Sequence, residues 1–267
     1  MPLGETDESL GLAARSVAKR FYSKGGDVLA LENVMLSARK GNFVSLIGPT
    51  GCGKSTMLRI FADLIPPTSG EVRINGKEVG LARKDRDFSV VFQSPNLLPW
   101  RNVLKNVCLP LEVMGEGRKE RKARAKRILE VVGLSSFERH QPWQLSGGMQ
   151  QKVALARALV MNPSVLLMDE PFGALDEITR DRMNLELMSI WQKFETTVLF
   201  ITHSIPEAVF LSSHVVVMSA RPGRTVAALS IDLPYPRTQE TRSDPRFFEF
   251  VNTLRKHLAV ASQQEGS

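Results

Sequence analysis

Between Gly48 and Thr56 the chain reads G-P-T-G-C-G-K-S-T, a spacing suited to gripping the phosphates of a nucleotide. The loop residues Gly48, Pro49, Thr50, Gly51, Cys52 and Gly53 turn backbone N–H groups toward phosphate oxygens, and the helix that follows adds its positive N-terminal end. Lys54 then supplies a point charge to the β- and γ-phosphates. Ser55 supplies a hydroxyl ligand for Mg2+, and Thr56 completes the motif. Phosphoryl transfer further requires a second acidic group for the metal and a residue that orients or deprotonates the attacking water. Asp169 and Glu170 meet that need: they close an apolar run, V-L-L-M, so that Asp169 can hold Mg2+ while Glu170 faces the water. No N-K-x-D stretch that would read guanine occurs, which makes ATP the expected nucleotide. Hydrolysis, transfer to a small molecule, and a mechanical ATPase all remain open on these residues alone.

The elements around these groups follow an alternating pattern. F-V-S-L-I from Phe43 reads as a short buried strand feeding the glycine loop, and M-L-R-I-F-A-D-L-I reads as a helix stopped by Pro66 and Pro67. Val165–Met168, Val198–Ile201 and Val215–Met218 are continuous apolar runs, as expected of parallel strands buried on both faces. Helices separate them. Ile178, Leu185, Met188, Trp191 and Phe194 recur at roughly helical spacing between Asp176 and Phe194. An α/β sheet with right-handed crossovers is the expected architecture. Residues 94–145 break the alternation with Pro95, Pro99, Pro110 and a basic stretch, Arg118 to Arg127, and read as a helical insertion. From Leu233 a proline-rich turn leads to a short amphipathic helix over Phe247 to Leu258.

At Leu145 to Lys152 the chain reads L-S-G-G-M-Q-Q-K ahead of V-A-L-A-R-A-L, with Ser146 placed to cap a helix. Ser146, Gly147 and Gly148 offer a hydroxyl, backbone donors and a helix N-terminus, a second anion site of the same kind as the first. This segment resembles the ABC signature motif. With Gln93 in V-V-F-Q, Asp176 in G-A-L-D and His203 in F-I-T-H, the motif set resembles that of an ABC transporter nucleotide-binding subunit over about Val17 to Pro236. The resemblance implies a P-loop NTPase core of α/β class, with an antiparallel β subdomain and an inserted α-helical subdomain at about 94–150. Residues 1–16, polar, mixed and without periodicity, read as a flexible leader, and the resemblance leaves an ATPase domain (17–236) and a C-terminal extension (237–267). It implies that two copies pack head to tail, the signature of one closing over the γ-phosphate held by the other, so that ATP is the glue of a homodimer. Residue by residue, Gln93 would contact Mg2+ and the lytic water while signalling to a membrane partner. His203 would hold the γ-phosphate, Asp176 would shape the dimer contact near Glu170, and Phe21, or Tyr22 beside it, would stack on adenine. Met149, Gln150 and Ser204 depart from common family residues beside the phosphate contacts, not on them. V-V-F-Q-S-P-N-L-L-P-W, D-E-P-F-G-A-L-D, E-A-V-F-L and S-A-R-P-G-R are similar to the nitrate, sulfonate and taurine importer branch. That similarity implies integral membrane permease subunits as partners, an extracytoplasmic substrate-binding protein acting indirectly, and a peripheral location on the cytoplasmic face of the cell (inner) membrane.

Bulk properties agree with a folded cytosolic chain. Its 267 residues are 43% hydrophobic and 24% charged, and no apolar run reaches the ~18–20 residues that span a bilayer. Cys52 and Cys108 fit neither a disulfide scaffold nor a zinc site. The net charge of +7 permits an anionic partner, but no aromatic side chain interleaves the basic stretch 118–127 to stack on bases, so it reads as a solvated helix and no nucleic acid is expected. Leu97, Leu98 and Trp100 are the candidate permease contacts. A DNA-directed ATPase would need a long heptad insertion, and a translation factor two cassettes; neither is present. The signature segment argues against a small-molecule kinase.

Overall fold

The computed structural model describes residues 9–23 and 25–263, so part of the expected leader and the last residues of the extension lie outside the described residues. Ten strands and eight α-helices follow one another among them. The strands are β1 (Leu10–Phe21), β2 (Val28–Arg39), β3 (Phe43–Ile47), β4 (Ser69–Ile74), β5 (Lys77–Glu78), β6 (Phe88–Val91), β7 (Val165–Asp169), β8 (Thr197–Ile201), β9 (His214–Met218) and β10 (Thr225–Ser230). The helices are α1 (Lys54–Phe61), α2 (Val79–Asp85), α3 (Val103–Val113), α4 (Arg118–Val131), α5 (Gly147–Leu159), α6 (Glu177–Phe194), α7 (Ile205–Leu211) and α8 (Pro245–Gln263).

A six-stranded sheet in the order β10-β9-β3-β8-β7-β6 forms the centre, parallel except for β10, and a four-stranded antiparallel sheet in the order β2-β1-β4-β5 lies beside it. Alternation along the central strands explains their unbroken apolar runs. Val44, Leu46, Leu167, Leu199, Val216 and Met218 face α1 and the antiparallel sheet, while Phe43, Leu166, Met168, Phe200, Val215 and Val217 face the other helices. Each central strand is therefore buried on both faces, as parallel strands covered by crossover helices must be.

Several boundaries move. Strand β1 begins at Leu10, inside the segment assigned to the leader, and Leu10, Leu12, Ala13 and Ala14 are buried against β2 and β4. Long-range pairing orders a stretch whose local composition is mixed. The first helix starts earlier and ends earlier than its apolar pattern suggests, at Lys54 and Phe61. Helix α5 runs from Gly147 through residue 150 to Leu159. Ile178, expected on the buried stripe of α6, is 84% exposed in the first turn, beyond the edge of the core. The C-terminal helix spans Pro245–Gln263 and packs Phe247, Val251, Leu254 and Ala261 into the core.

Candidate functional site

Four neighbouring parallel strands, in the order β3-β8-β7-β6, end at one edge of the sheet, and each end carries a motif residue. Gly48–Lys54 follows β3, His203 follows β8, Asp169 and Glu170 close β7, and Gln93 follows β6. Ligands of open α/β sheets sit beyond such carboxyl ends.

The loop after β3 turns into α1 through Gly53, whose φ of 102° lies in the left-handed region. A side chain there would also stand 2.6 Å from Leu31 Cδ2. Lys54 is only 6% exposed, and its Nζ donates to the carbonyls of Gly48 and Pro49 at 2.9 and 3.0 Å. Ser55 Oγ donates to Asp169 Oδ1 at 2.9 Å. Burial pushes the Asp169 carboxyl up, the Ser55 hydrogen bond opposes this, and the adjacent Glu170 charge pushes it further up. Hard oxygens and a carboxylate that burial penalises are what a small divalent cation stabilises, and Mg2+ takes one or two such protein ligands beside phosphate oxygens. Ser55 and Asp169 fit that role; among the described residues no group of three or more His, Cys, Asp or Glu side chains forms an all-protein metal cage.

Glu170 occupies a left-handed backbone position, φ 44°, fixed by its N–H donating to Ile201 O on β8 at 3.0 Å. Its Oε2 lies 3.3 Å from His203 Nδ1. Gly173 leaves room at the same place: a Cβ there would sit 3.4 Å from Gln93 Nε2 and 3.5 Å from Glu170 Oε2. The structure therefore brings Glu170, His203 and Gln93 together beside the Ser55–Asp169 pair. A carboxylate, an imidazole and an amide so grouped can orient and deprotonate a water molecule.

Ser146, Gly147, Gly148 and Asp176 form a separate group. Ser146 caps α5, its Oγ accepting from Met149 N at 3.4 Å, and Asp176 caps α6, its carboxylate accepting from Thr179 N at 3.0 Å. That backbone donor holds the Asp176 carboxyl below its ordinary range. The two helix starts touch: a Cβ on Gly147 would meet Leu175 Cδ2 at 3.6 Å, and one on Gly148 would meet Thr179 Cγ2 at 3.1 Å. Among the described residues no hydrogen bond or ion pair joins Ser146–Gly148 to Gly48–Thr56. Phe21 ends β1 with its ring 41% exposed and Lys19 Nζ 5.2 Å above it, while Tyr22 is more exposed still.

Three supports were not legible from the motifs. Gln151 Nε2 donates to Phe92 O at 3.1 Å, and Arg157 donates to Asn96 O and Pro95 O at 2.8 and 2.7 Å, so α5 holds the segment around Gln93. An arginine inside the otherwise apolar V-A-L-A-R-A-L was the available signal. Gly223, in S-A-R-P-G-R, bonds through its N–H to Ala30 O and lies directly against Cys52 of the phosphate loop.

Residues 31–173 match the family model described as ABC transporter. An uncharacterised ABC transporter ATP-binding protein of Methanocaldococcus jannaschii is 48% identical over 95% of this chain and 92% of its own. A taurine import ATP-binding protein of Burkholderia pseudomallei is 45% identical over 94% of this chain and 96% of its own. Other relatives carry the names of aliphatic sulfonate and nitrate import ATP-binding proteins. Among solved structures, an ATP-binding cassette in a dimeric post-hydrolysis state with ADP and Pi is 35% identical, with a TM-score of 0.73, covering 84% of this chain and 100% of that one.

Proposed function

Since this chain belongs to the ABC transporter family and is one of its ATP-hydrolysing subunits, we propose that two copies close head to tail over a pair of ATP molecules and thereby drive a membrane permease importing a small anion. One observation carries this reading. The chain holds two phosphate-binding helix N-termini, those of α1 and α5, and no hydrogen bond or ion pair joins them within one copy among the described residues. A second copy supplies the missing juxtaposition.

In that assembly the loop Gly48–Gly53 and Lys54 hold the triphosphate, and Phe21 stacks on adenine. Ser55 and Asp169, with Gln93, hold Mg2+, which when bound neutralises charge on the phosphate oxygens. Glu170 takes the proton of the attacking water as the water oxygen bonds to the γ-phosphorus. The bond to the β–γ bridging oxygen breaks, and ADP leaves with that electron pair. His203 steadies the γ-phosphate, Gln93 orients the water, and the partner's signature residues close the site against solvent. Asp176 contributes indirectly by capping α6 beneath the signature segment.

Among the described residues no helix is long and apolar enough to cross a membrane, and the names of the relatives as import ATP-binding proteins support a permease as a separate partner. Trp100, 73% exposed beside a cleft of about 870 Å³ between α3 and α4, offers the docking surface together with the half-buried Leu97 and Leu98. The cargo reading is nitrate, sulfonate or taurine, delivered by an extracytoplasmic binding protein, with this subunit on the cytoplasmic face of the inner membrane. Its support is the branch-like strings and the names of the relatives.

Glu170→Gln tests the reading. ATP binding should persist while turnover falls by about 10²–10⁴-fold and a nucleotide-bound dimer accumulates in light scattering. A variant that remains monomeric with ATP and hydrolyses it at the normal rate would overturn it.

A further inference from the structure

We propose that Glu207 is a positioning residue for His203, acting through the hydroxyl of Thr202 without touching nucleotide. The inference rests on the reading of His203 as a γ-phosphate group and gives a role to Glu207, the first residue of the E-A-V-F-L string. Glu207 lies on α7, four positions past His203, and is 5% exposed.

Three hydrogen bonds lock the backbone on both sides of His203. Thr202 Oγ1 donates to Glu207 Oε2 at 2.5 Å. The Ser204 N–H donates to Thr202 Oγ1 at 3.0 Å, and the Glu207 N–H donates to Ser204 Oγ at 3.4 Å. Thr202 is thus tied to the buried carboxyl, and Ser204 to the Thr202 hydroxyl and the Glu207 backbone, so the peptide units flanking His203 cannot rotate without breaking that ring. Among the described residues the His203 side chain is bonded outward, to Glu170 Oε2 at 3.3 Å, so its direction comes from the backbone beneath it.

The environment of Glu207 is a costly place for an acid. Burial pushes its carboxyl up, partly offset by the Thr202 hydroxyl and by the Arg180 charge. Its second oxygen, Oε1, is buried and meets no geometric hydrogen-bond partner among the described residues, and the Asn184 side chain on α6 stands near enough to help lower the carboxyl. Burying an ionisable side chain in this α6–α7 seam carries a desolvation cost that an apolar residue would not. Departures from good packing of this kind gather where a side chain has a second duty. Here that duty is to hold the segment leaving β8 so that the imidazole points at Glu170. Because α6 begins at the Asp176 cap, the same seam joins the His203 segment to the helix beneath the signature residues.

The test compares steady-state ATP hydrolysis by the full chain carrying His203→Ala, Glu207→Ala, both, or Glu207→Gln. Glu207→Ala should lower kcat by at least about tenfold with KM for ATP changed by less than about twofold. Glu207→Gln, which still offers Thr202 an acceptor, should recover most of the loss. In the His203→Ala background, Glu207→Ala should cost less than about twofold more, since residues acting as one unit are not additive. Fully additive losses, or a normal kcat for Glu207→Ala, would overturn the proposal. Should Glu207→Ala not fold, Thr202→Val cuts the same link from the other side and Thr202→Ser restores it, with the same expectations. A normal kcat for His203→Ala would refute the parent reading; impairment there with additivity at Glu207 would refute this inference alone.

Discussion

Gly223→Ala isolates the contact that braces the phosphate loop from behind. Gly223 sits outside the left-handed region, so alanine carries no backbone penalty there and the whole effect is spatial. Its new methyl would overlap the Cys52 carbonyl oxygen and stand 2.6 Å from Met218 Cε. Methionine can swing away, but the Cys52 carbonyl is backbone of the loop that grips the triphosphate. Relief requires that carbonyl, or the 219–224 turn, to retreat by about 1 Å. The turn is pinned by Gly223 N–H to Ala30 O at 3.0 Å and by Glu32 N–H to Gly223 O at 2.9 Å, so much of the movement passes to the loop. Overpacking of this kind costs about 1–3 kcal/mol, and a misplacement of ~1 Å can lower turnover about 10²-fold. At roughly 2–4 °C per kcal/mol for a chain of this size, the midpoint of thermal unfolding should drop by about 2–12 °C. The assay is titration with a fluorescent ATP analogue, steady-state hydrolysis and a thermal melt. Gly117→Ala is the control, because a Cβ there meets nothing within 4 Å. If Gly223→Ala bound nucleotide and turned over within twofold of the parent, the claim that the S-A-R-P-G-R turn sets the loop's shape would be refuted.

Asp169→Asn should trade function for stability. An acid whose pKa is raised on folding adds stability below its ordinary pKa and loses it as pH rises through the raised folded value, so at pH 7 the metal-free protein carries the cost of burying this charge beside Glu170. The variant should melt higher than the parent without nucleotide or Mg2+, by a margin that narrows as pH is lowered toward the carboxylate range, and should hydrolyse ATP at least about 10²-fold more slowly; thermal melts across pH with turnover assays check both. Ser146→Arg removes the hydrogen-bond acceptor that caps α5, worth about 1 kcal/mol, and places a bulky cation where the partner's γ-phosphate would dock. Nucleotide binding by the monomer should survive while hydrolysis and ATP-dependent dimerisation fail, as read by titration beside light scattering; normal turnover would remove Ser146 from the shared site.

What could be read in the chain beforehand follows from where the information lies. The central strands were legible because each is buried on both faces and so spells an unbroken apolar run, Val165–Met168 being the plainest. The groups at their ends were legible because phosphate chemistry fixes residue types at fixed short spacings. Strand β1 was not, since L-G-L-A-A-R-S-V-A-K-R-F mixes small, basic and apolar residues and gains its order from β2 and β4. Gly223, Gln151, Arg157 and Glu207 all lie in recognisable strings, yet their roles were not legible for a related reason: each supports a motif residue through a partner that no short pattern pairs with it, as when Arg157 bonds to carbonyls 61 and 62 positions back. Gly147 and Gly148 sit between these cases. Their spacing marks an anion-binding helix start, yet inside one copy their neighbours are Leu175 and Thr179, which offer no phosphate. A donor cluster that is well formed but has no ligand-bearing neighbour in its own chain gains free energy only when another surface brings the anion to it. In the proposed head-to-tail dimer, ATP bound to a second copy would bring such an anion, and nucleotide binding and association would then be thermodynamically linked: each would strengthen the other, and hydrolysis would weaken both.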